Sequence, residues 1–401
     1  MPDVIYLDNN ATTAVAPEVR EAMRPYLEDL YGNPSSIHTF GGQVAKAVDR
    51  ARQQVADLLG CHPTEIIFTS CGTESDNTAI ASALALDPDR RHVITTRVEH
   101  PAVRNLCQAL AKGDHGRPVC RVTEVPVNAD GEFDMPAFGN ALDDETAVAS
   151  AMWANNETGV LFPVEDIGAL CRDRGILFHT DAVQAVGKVP MTLADLPIDM
   201  LSLSGHKLHA PKGVGALYVR RGTRFSPLLL GGHQENNRRG GTEAVPQIVA
   251  LGVAAELAKA NLEKENTEVQ TLRDRLEEGL LERAPGARVN GRQDLRLPNT
   301  SNISFEYVEG EAILLMLNEH GICASSGSAC TTGSLEPSHV LRAMGVPFTS
   351  AHGSIRFSLS VYNTQEEIDT VLEVLPPIIR RLREISPFGR EGRPAAKAIK
   401  P

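Results

Sequence analysis

The hydrophobic positions of the chain follow two alternating spacings from about residue 41 to residue 220. Between Gly41 and Leu59 they recur every three or four residues, as in an amphipathic helix, and Gly60 follows as a typical C-terminal end. Short apolar runs typical of buried strands alternate with further helical stretches. The predicted strands are Glu65–Ser70, His92–Thr96, Ala147–Trp153, Ile176–Thr180, Met200–Ser204 and Gly213–Val219, and the predicted helices are Thr73–Leu86, one beginning at Pro101, and Val164–Arg174. This alternation predicts an α/β domain with a mainly parallel, doubly wound sheet, whose ligands bind at the C-terminal ends of the strands.

The remaining third of the chain has a different pattern. Residues Ala250–Arg283 are rich in Ala, Leu, Glu and Lys, which predicts long helices that lead out of the first domain. Short strands and helices follow after Pro285 and indicate a smaller α+β domain. They are the strands Ser301–Phe305 and Ser354–Ser358 and the helices Glu311–His320 and Gln365–Arg383. The segment Gly389–Pro401, with its Pro, Gly, Arg and Lys residues, is interpreted as a flexible tail.

The length, composition and charge of the chain exclude several classes of function. A length of 401 residues indicates two domains, and 42% apolar with 22% charged residues is typical of a globular protein. A net charge of −12 argues against nucleic acid or an anionic lipid surface as a direct partner. No apolar run is long enough for a membrane helix, and the first residues do not resemble a secretory signal. We therefore expect a cytoplasmic protein.

The seven cysteines do not form a recognisable metal or disulfide pattern, because their number is odd and no CxxC pair occurs. Most of them are interpreted as small buried hydrophobes, namely Cys61, Cys71, Cys107, Cys120, Cys171 and the core-bordering Cys323. Cys330 differs because it lies among Ser and Gly residues, in a loop predicted over about 323–336. A thiol on such a loop is suited to nucleophilic attack and to carrying a covalent adduct.

Candidate chemistry gathers at one edge of the predicted sheet. Lys207 follows a buried strand, where a lysine can hold a carbonyl cofactor, although a lone lysine is more often a solvent-exposed loop residue. Asp181 ends another strand and could pair with a protonated ring nitrogen or simply cap a helix, with Gln184 three residues further on. Gly72 and Thr73 open a helix, whose free N–H groups can bind phosphate. No phosphate loop or dinucleotide fingerprint is present, so nucleotide-dependent chemistry is disfavoured.

Short stretches spread over almost the whole chain carry a much more specific signal. They are Tyr6–Thr13, Gly32–Ser36, Phe68–Asp76, Glu99–Ala102, Asn155–Gly159, His179–Gln184, Ser204–Lys207, Ser325–Cys330 and Ser354–Ser358. Together they closely resemble the cysteine desulfurases, which are pyridoxal-phosphate enzymes of the class V aminotransferase group. The sequences of Trp153–Gly159 and His206–Pro211 are most similar to those of the nitrogen-fixation (NifS-like) branch.

The resemblance implies a role for each matching residue. It implies catalytic roles for three residues, with Lys207 attached to the cofactor, His100 stacked on its ring and Cys330 as the nucleophile that becomes a persulfide. Asn156 and Arg356 would bind the substrate carboxylate, and Cys330 would also be the ligand of a transient [2Fe-2S] cluster. The implied cofactor-binding residues are Gly72, Thr73, Asn156, Asp181, Gln184, Ser204, Gly205, His206, Lys207 and, from a partner subunit, Thr242.

The resemblance also implies an overall organisation and activity. We expect an aminotransferase-like large domain over 15–261, and a small domain formed by 1–14 with 262–401 that carries the cysteine loop. The expected activity is a homodimeric L-cysteine desulfurase that forms L-alanine and passes sulfane sulfur to an iron–sulfur scaffold or another acceptor protein. Nitrogenase cluster assembly is the expected pathway. Selenocysteine lyase and a non-enzymatic iron–sulfur or metal-binding protein are the alternatives.

Overall fold

The computed structural model describes residues 4–113, 119–326 and 337–386. Its largest element is a seven-stranded sheet with the strand order β2-β8-β7-β6-β5-β3-β4. The strands of this sheet are β2 (Ile66–Thr69), β3 (His92–Thr96), β4 (Arg121–Val125), β5 (Thr146–Ser150), β6 (Leu177–Asp181), β7 (Met200–Ser204) and β8 (Gly215–Val219). All neighbours pair in parallel except β8, which runs antiparallel between β2 and β7. The prediction of a mainly parallel α/β sheet is therefore confirmed.

Helices cover both faces of this sheet, because its strands are apolar on both sides. The helices of this part of the chain are α1 (Pro17–Glu28), α2 (Thr39–Leu59), α3 (Gly72–Leu86), α4 (Pro101–Lys112), α5 (Met135–Ala141), α6 (Val164–Asp173), the short kinked α7 (Gln234–Asn237) and α8 (Val245–Ala260). One hydrophobic cluster joins α2 and α8 to one face, and a second cluster packs α3 and α4 on the other. The sequence pattern did not reveal α1, β4 or α5.

A second, smaller core forms around a three-stranded antiparallel sheet. Its strands are β9 (Ala287–Val289), β10 (Thr300–Phe305) and β12 (Ser354–Ser358), and beside it β1 (Ile5–Tyr6) pairs in parallel with β11 (Ile322–Cys323). The helices of this part of the chain are α9 (Leu262–Lys264), α10 (Gln270–Arg283), α11 (Gly310–Glu319), α12 (His339–Ala343), α13 (Phe348–Ala351) and α14 (Gln365–Ile385), of which α10, α11 and α14 pack in this core. The predicted smaller α+β unit is thus present.

Several element boundaries differ from the sequence-based prediction. The strand expected over Ala147–Trp153 ends at Ser150, because the chain then turns into a loop that borders the site. Asp181 does not cap a helix, because the residues after it, including Gln184, form tight turns. Cys61, Cys71 and Cys323 are half-buried rather than buried, since each lies at the end of a helix or strand, whereas Cys107, Cys120 and Cys171 are buried as expected.

The chain crosses between the two cores more than once. The helix α12 follows the cysteine segment, yet its residues Val340 and Leu341 belong to the core of the large sheet. Ser325, just before that segment, pairs through its backbone with Arg356 in the small sheet. The division into 15–261 and the remaining residues stays a prediction. Cys330, the greater part of the loop predicted over 323–336 and the tail predicted over 389–401 lie outside the described residues.

Candidate active site

Lys207 lies at the C-terminal edge of the large sheet, where β7 ends in a single 3₁₀ turn, Gly205–Lys207. Its ammonium nitrogen donates hydrogen bonds to the main-chain carbonyls of Asn10 at 2.5 Å and Ala11 at 2.6 Å. Burial lowers the pKa of Lys207 to about 7, and the positive charge of Arg356 acts in the same direction. A large share of this amine is therefore neutral near pH 7, as a nucleophilic lysine requires.

The N-terminal segment 8–13 forms one wall of the site, and the sequence analysis assigned it no role. Besides Lys207, the carbonyl of Asn10 accepts a bond from the Gln184 side chain at 3.0 Å. The side chain of Asn10 reaches Thr300 in the small sheet at 2.8 Å. Two consecutive asparagines directly after a short strand were the available signal in the sequence. That signal could not be interpreted from the sequence, because Lys207, the partner of Asn10, lies 197 residues away in the chain.

Asp181 ends β6, the strand that neighbours β7 in parallel, so it lies at the same sheet edge as Lys207. Its Oδ1 accepts a hydrogen bond from the backbone N–H of Val183 at 2.9 Å. Burial raises the pKa of Asp181, while His100 and Lys207 oppose that rise. Asp181 is thus a desolvated carboxylate that depends on nearby cations for its charge, as expected of a partner for a protonated ring nitrogen.

The groups behind Asp181 lack a balancing cation. His179 bonds to hydroxyls on both neighbouring strands, Ser150 at 2.9 Å and Ser202 at 2.9 Å. Burial lowers its pKa to about 3, so this imidazole is neutral at pH 7. Asp76 lies 3.6 Å from His179, and burial together with the charge of Asp181 raises the pKa of Asp76 well above its ordinary value. Asp181 is therefore the acid at this edge that a bound cation would ionise most readily.

His100 is the N-cap residue of α4, where its Nδ1 accepts a hydrogen bond from the backbone N–H of Ala102 at 3.1 Å. This bond fixes the ring orientation and places the proton on Nε2. Burial lowers the pKa of His100, with Lys207 contributing in the same direction and Asp181 opposing. A neutral, fixed imidazole between these two groups has the electronic character needed to stack on an aromatic cofactor.

Ser204, His206 and the first residues of α3 form a polar seat beside Lys207. Gly72 is buried at the start of α3, and a Cβ there would lie only 2.8 Å from Val183. Only glycine lets this helix terminus, with its free N–H groups, approach the Asp181 turn. Ser204 Oγ is buried without a hydrogen-bond partner among the described residues. Burial lowers the pKa of His206 to about 4.

Arg356 lies on β12 and reaches across the domain junction. Its guanidinium donates to Asp8 Oδ1 at 2.6 Å and to the Asn156 carbonyl at 3.0 Å. The Nε of this almost fully buried side chain has no partner among residues 4–113, 119–326 and 337–386. A guanidinium with an unused N–H group next to Asn156 is suited to bind a carboxylate, and Asp8 would compete for it.

Both ends of the cysteine segment attach next to this carboxylate site. On one side Ser325 exchanges backbone hydrogen bonds with Arg356 at 3.2 and 2.6 Å. On the other side the Ser338 hydroxyl donates to Glu157 at 2.5 Å, and Glu157 directly follows Asn156 in the chain. Burial raises the pKa of Glu157 to about 7, whereas the bond from Ser338 opposes the rise. The two ends of the segment that carries Cys330 are therefore anchored at or next to the predicted carboxylate-binding residues Arg356 and Asn156.

Replacing Ser338 with alanine is expected to lower the free energy of unfolding by about 2 kcal/mol. The hydroxyl caps α12 by accepting from Val340 at 3.0 Å, so its loss uncaps the helix and removes the donor to Glu157. Urea unfolding followed by circular dichroism measures the change. The variant Ser338→Thr keeps the hydroxyl and is expected to stay within about 0.5 kcal/mol of the wild type. Equal losses in both variants would contradict the assignment.

Thr242 is exposed, as is Thr73, whereas the other predicted cofactor residues are buried or half-buried. It lies two residues after Gly240 in a loop that is fastened to the start of α3, where Arg239 donates to Glu74 at 2.9 Å. The same loop is held through buried Glu235, whose carboxylate pairs with both terminal nitrogens of Arg52 at 2.7 Å. The loop therefore presents Thr242 outward from a fixed base. A role for Thr242 from a partner subunit stays a prediction.

Known proteins share this arrangement over nearly the full chain. The family model Aminotransferase class-V matches residues 5–371. Cysteine desulfurase 2 of Trichormus variabilis is 62% identical over 388 residues, which cover 97% of this chain and 96% of that protein. The chain belongs to the cysteine desulfurases of the class-V aminotransferase family. Cysteine desulfurase NifS of Azotobacter vinelandii is 60% identical over 385 residues, or 96% of this chain and 94% of that protein. A solved NifS-like protein is similar with a TM-score of 0.88 and 38% identity, covering 95% of this chain and all of that one.

Cysteine desulfurases of this family use pyridoxal phosphate, and the residues at the sheet edge fit that cofactor. Lys207 supplies an amine with a lowered pKa, and Asp181 supplies a carboxylate that needs a cation. The buried Ser204 Oγ and Gln184 Oε1 have no hydrogen-bond partners among the described residues. The Ser204 hydroxyl is suited to donate to the cofactor's phosphate, and Gln184 Oε1 is suited to accept from its ring hydroxyl. The predicted residues Lys207, Asp181, Gln184, Ser204 and His100 thus surround one position.

Two further observations concern the same described ranges. None of the helices in them is both long and apolar enough to cross a lipid bilayer. These ranges also contain no group of three or more His, Cys, Asp or Glu side chains placed to hold a metal ion. The predicted cluster ligand, Cys330, lies outside them, so its role stays a prediction.

Proposed function

We propose that this cysteine desulfurase converts L-cysteine into L-alanine and transfers the sulfane sulfur through a persulfide on Cys330. The observation that carries the proposal is the Lys207 amine, buried beside Asp181 with a pKa lowered to about 7. Its family membership supports the substrate, since its relatives are named cysteine desulfurases at 62% and 60% identity. The position of Cys330 within the stretch Ser325–Cys330 supports its role.

Each residue of the site has a defined task in this reaction. Bound pyridoxal phosphate supplies an electron sink for the substrate's Cα and Cβ atoms. Arg356, with Asn156 beside it, binds the substrate carboxylate and so orients the Cα–H bond. The free Lys207 amine then accepts the proton from Cα and later returns a proton to the product. Asp181 holds the positive charge of the ring nitrogen, and neutral His100 excludes water from the ring face.

Sulfur transfer balances without an added oxidant. The Cys330 thiolate attacks the substrate sulfur, so the S–S bond of the persulfide forms while the substrate's Cβ–S bond breaks. The electron pair of the broken bond stays with the carbon fragment, which takes up protons and leaves as alanine. The product persulfide can then pass its outer sulfur to an acceptor thiol by exchange. Ser325 and Ser338, anchored beside the carboxylate site, hold both ends of the segment that carries this thiol.

The proposal also covers the partners of the protein, namely a second subunit and the protein that accepts the sulfur. We infer a homodimer in which Thr242 contributes to the other subunit's phosphate site, which its exposure on a fastened loop supports. The acceptor is a cytoplasmic iron–sulfur scaffold protein or another sulfur carrier, and Cys330 transiently ligates a [2Fe-2S] cluster during delivery. Identity of 60% to the relative named NifS supports nitrogenase cluster assembly as the pathway.

Incubation of the purified, cofactor-loaded protein with L-cysteine is expected to yield one persulfide on Cys330 per active site before turnover continues. Amino-acid analysis measures alanine, and mass spectrometry of the Cys330 peptide detects the mass of one added sulfur atom. Alanine formation without any sulfur on Cys330 would contradict the persulfide route. Rapid release of selenium from selenocysteine, with negligible alanine from cysteine, would instead identify a selenocysteine lyase.

A further inference from the structure

A small cavity, partly open to solvent, lies beside Lys207 at the junction of the two cores. Its volume is about 30 Å³, which is enough to hold a water molecule. Four further ionisable side chains line it together with Lys207, and two of them, Lys188 and Glu265, carry opposite charges. Both are more than nine-tenths buried, and the reaction proposed above uses neither of them.

Lys188 lies at the end of the turn that carries two cofactor-facing residues, Asp181 and Gln184. Its ammonium nitrogen approaches the Gln184 carbonyl at 3.4 Å. Its own carbonyl accepts a bond from Asn266 Nδ2 at 2.9 Å, which fastens this turn to the helical segment leaving the large domain. A lysine in this position places a positive charge at the same cavity as the Lys207 amine.

Glu265 lines the same cavity as Lys188 and interacts with it electrostatically. It begins a single π-helical turn, Glu265–Val269, in the helical segment that joins the two cores. Its Oε2 is buried and has no hydrogen-bond partner among the described residues. Burial raises the pKa of Glu265 to about 7, and the charge of Lys188 opposes that rise. The Lys188 ammonium and the Glu265 carboxylate lie more than 4 Å apart, so the two charges interact across the cavity.

The charges around Lys188 and Lys207 determine the direction in which the pKa of each lysine changes. Burial lowers the pKa of Lys188, whereas the negative charge of Glu265 raises it. The positive charge of Lys188 in turn lowers the pKa of Lys207, and it lowers the pKa of His209 as well. The other charged or titratable groups that interact with Lys207 are Arg356, Asp8, Asp181, His100 and His206.

We propose that Lys188, kept charged by Glu265 across this cavity, is a positioning residue that holds the Lys207 amine free of its proton. A buried pair of opposite charges is costly to desolvate and is often replaceable by apolar residues without loss of stability. Placed beside the reactive amine, such a pair acts on the charge of that amine. This role deepens the proposed function, on which it rests, because a neutral amine is needed both to capture the cofactor and to accept the substrate proton.

The test measures protonation of Lys207 directly in the full chain freed of cofactor. Acetic anhydride acylates only neutral amines, so the pH midpoint of Lys207 acylation, followed by peptide mass spectrometry, reports its pKa. The double variant Lys188→Met with Glu265→Gln is expected to raise this midpoint by about one pH unit. At pH 7 its rate of pyridoxal phosphate capture, followed by absorbance, is expected to fall by up to about tenfold and to recover at higher pH.

Two controls separate this effect from a purely structural one. Lys188→Arg keeps the charge and is expected to preserve the midpoint, and Lys212→Met removes an exposed charge nearby and is expected to change it little. The single variant Glu265→Gln, which keeps its shape, is expected to raise the midpoint because Lys188 then loses its counter-charge. An unchanged midpoint in a folded double variant or in Glu265→Gln would overturn the proposal. Because no turnover is measured, this result is independent of whether cysteine is the substrate.

Discussion

Replacing Lys207 with alanine is expected to reduce alanine formation from cysteine by at least about 10⁴-fold. Lys207 is the amine that the carbonyls of Asn10 and Ala11 hold at the sheet edge beside Asp181. In the proposed reaction, its loss removes both the attachment point of the cofactor and the base for the substrate proton. The visible absorbance of the cofactor-loaded protein is expected to disappear as well. Steady-state alanine production and the absorbance spectrum of the purified variant measure these effects.

The matched control for this variant is Lys212→Ala. Lys212 lies five residues further along the same loop and is exposed to solvent. Its removal is expected to leave the spectrum unchanged and activity within about twofold of wild type, since exposed charges contribute little. Turnover by Lys207→Ala above about one per cent of the wild-type rate, with the fold intact by circular dichroism, would sink the assignment of this lysine.

Replacing Cys330 with alanine is expected to leave the cofactor spectrum unchanged while alanine formation from cysteine falls by at least about 10³-fold. The residues predicted to hold the cofactor lie between Gly72 and Thr242 in the chain, so loading is not expected to require the thiol. Without a thiolate to attack the substrate sulfur, the Cβ–S bond has no acceptor for its sulfur atom. Paired measurements of absorbance and of alanine production distinguish the loading step from the sulfur-transfer step.

Cys323→Ala serves as the control for the cysteine variant, because Cys323 is a half-buried thiol seven residues earlier in the chain. It is expected to retain persulfide formation and most of the activity. Selenocysteine adds a second comparison, since selenium leaves carbon more readily than sulfur does, so Cys330→Ala should lose much less activity on this substrate. Full cysteine turnover by Cys330→Ala would show that another group accepts the sulfur.

The alternation of helices and strands was predictable because it depends on local spacing. The periodic apolar stripe of α2 and its αL cap at Gly60 (φ 63°) appear as expected from residues 41–60. The buried strands β3 and β7 begin and end at the predicted residues. Since parallel strands end at a common edge, Lys207 and Asp181 could also be placed near each other before any coordinates were known.

The walls of the site were not predictable in the same way. Asn10 reaches Lys207 across 197 residues of chain, and Ser338 reaches Glu157 across 181 residues. Neither contact can be recognised from the local hydrophobic periodicity, because each contact depends on how the two cores pack. Groups whose pKa is shifted by burial, such as the Glu157 carboxyl, could not be recognised from the sequence either, since the same carboxylate in a loop would be solvated.

The sequence by itself determined the alternating elements, the lysine and aspartate at the strand ends, and the motifs that mark the family. Their physical basis is local, because hydrophobic spacing and backbone preference act within a few residues. The tertiary structure alone decided which carbonyls hold Lys207, where Asp8 meets Arg356, and that Lys188 and Glu265 share a cavity. These features depend on long-range packing, which excludes water and thereby sets the charge of each group.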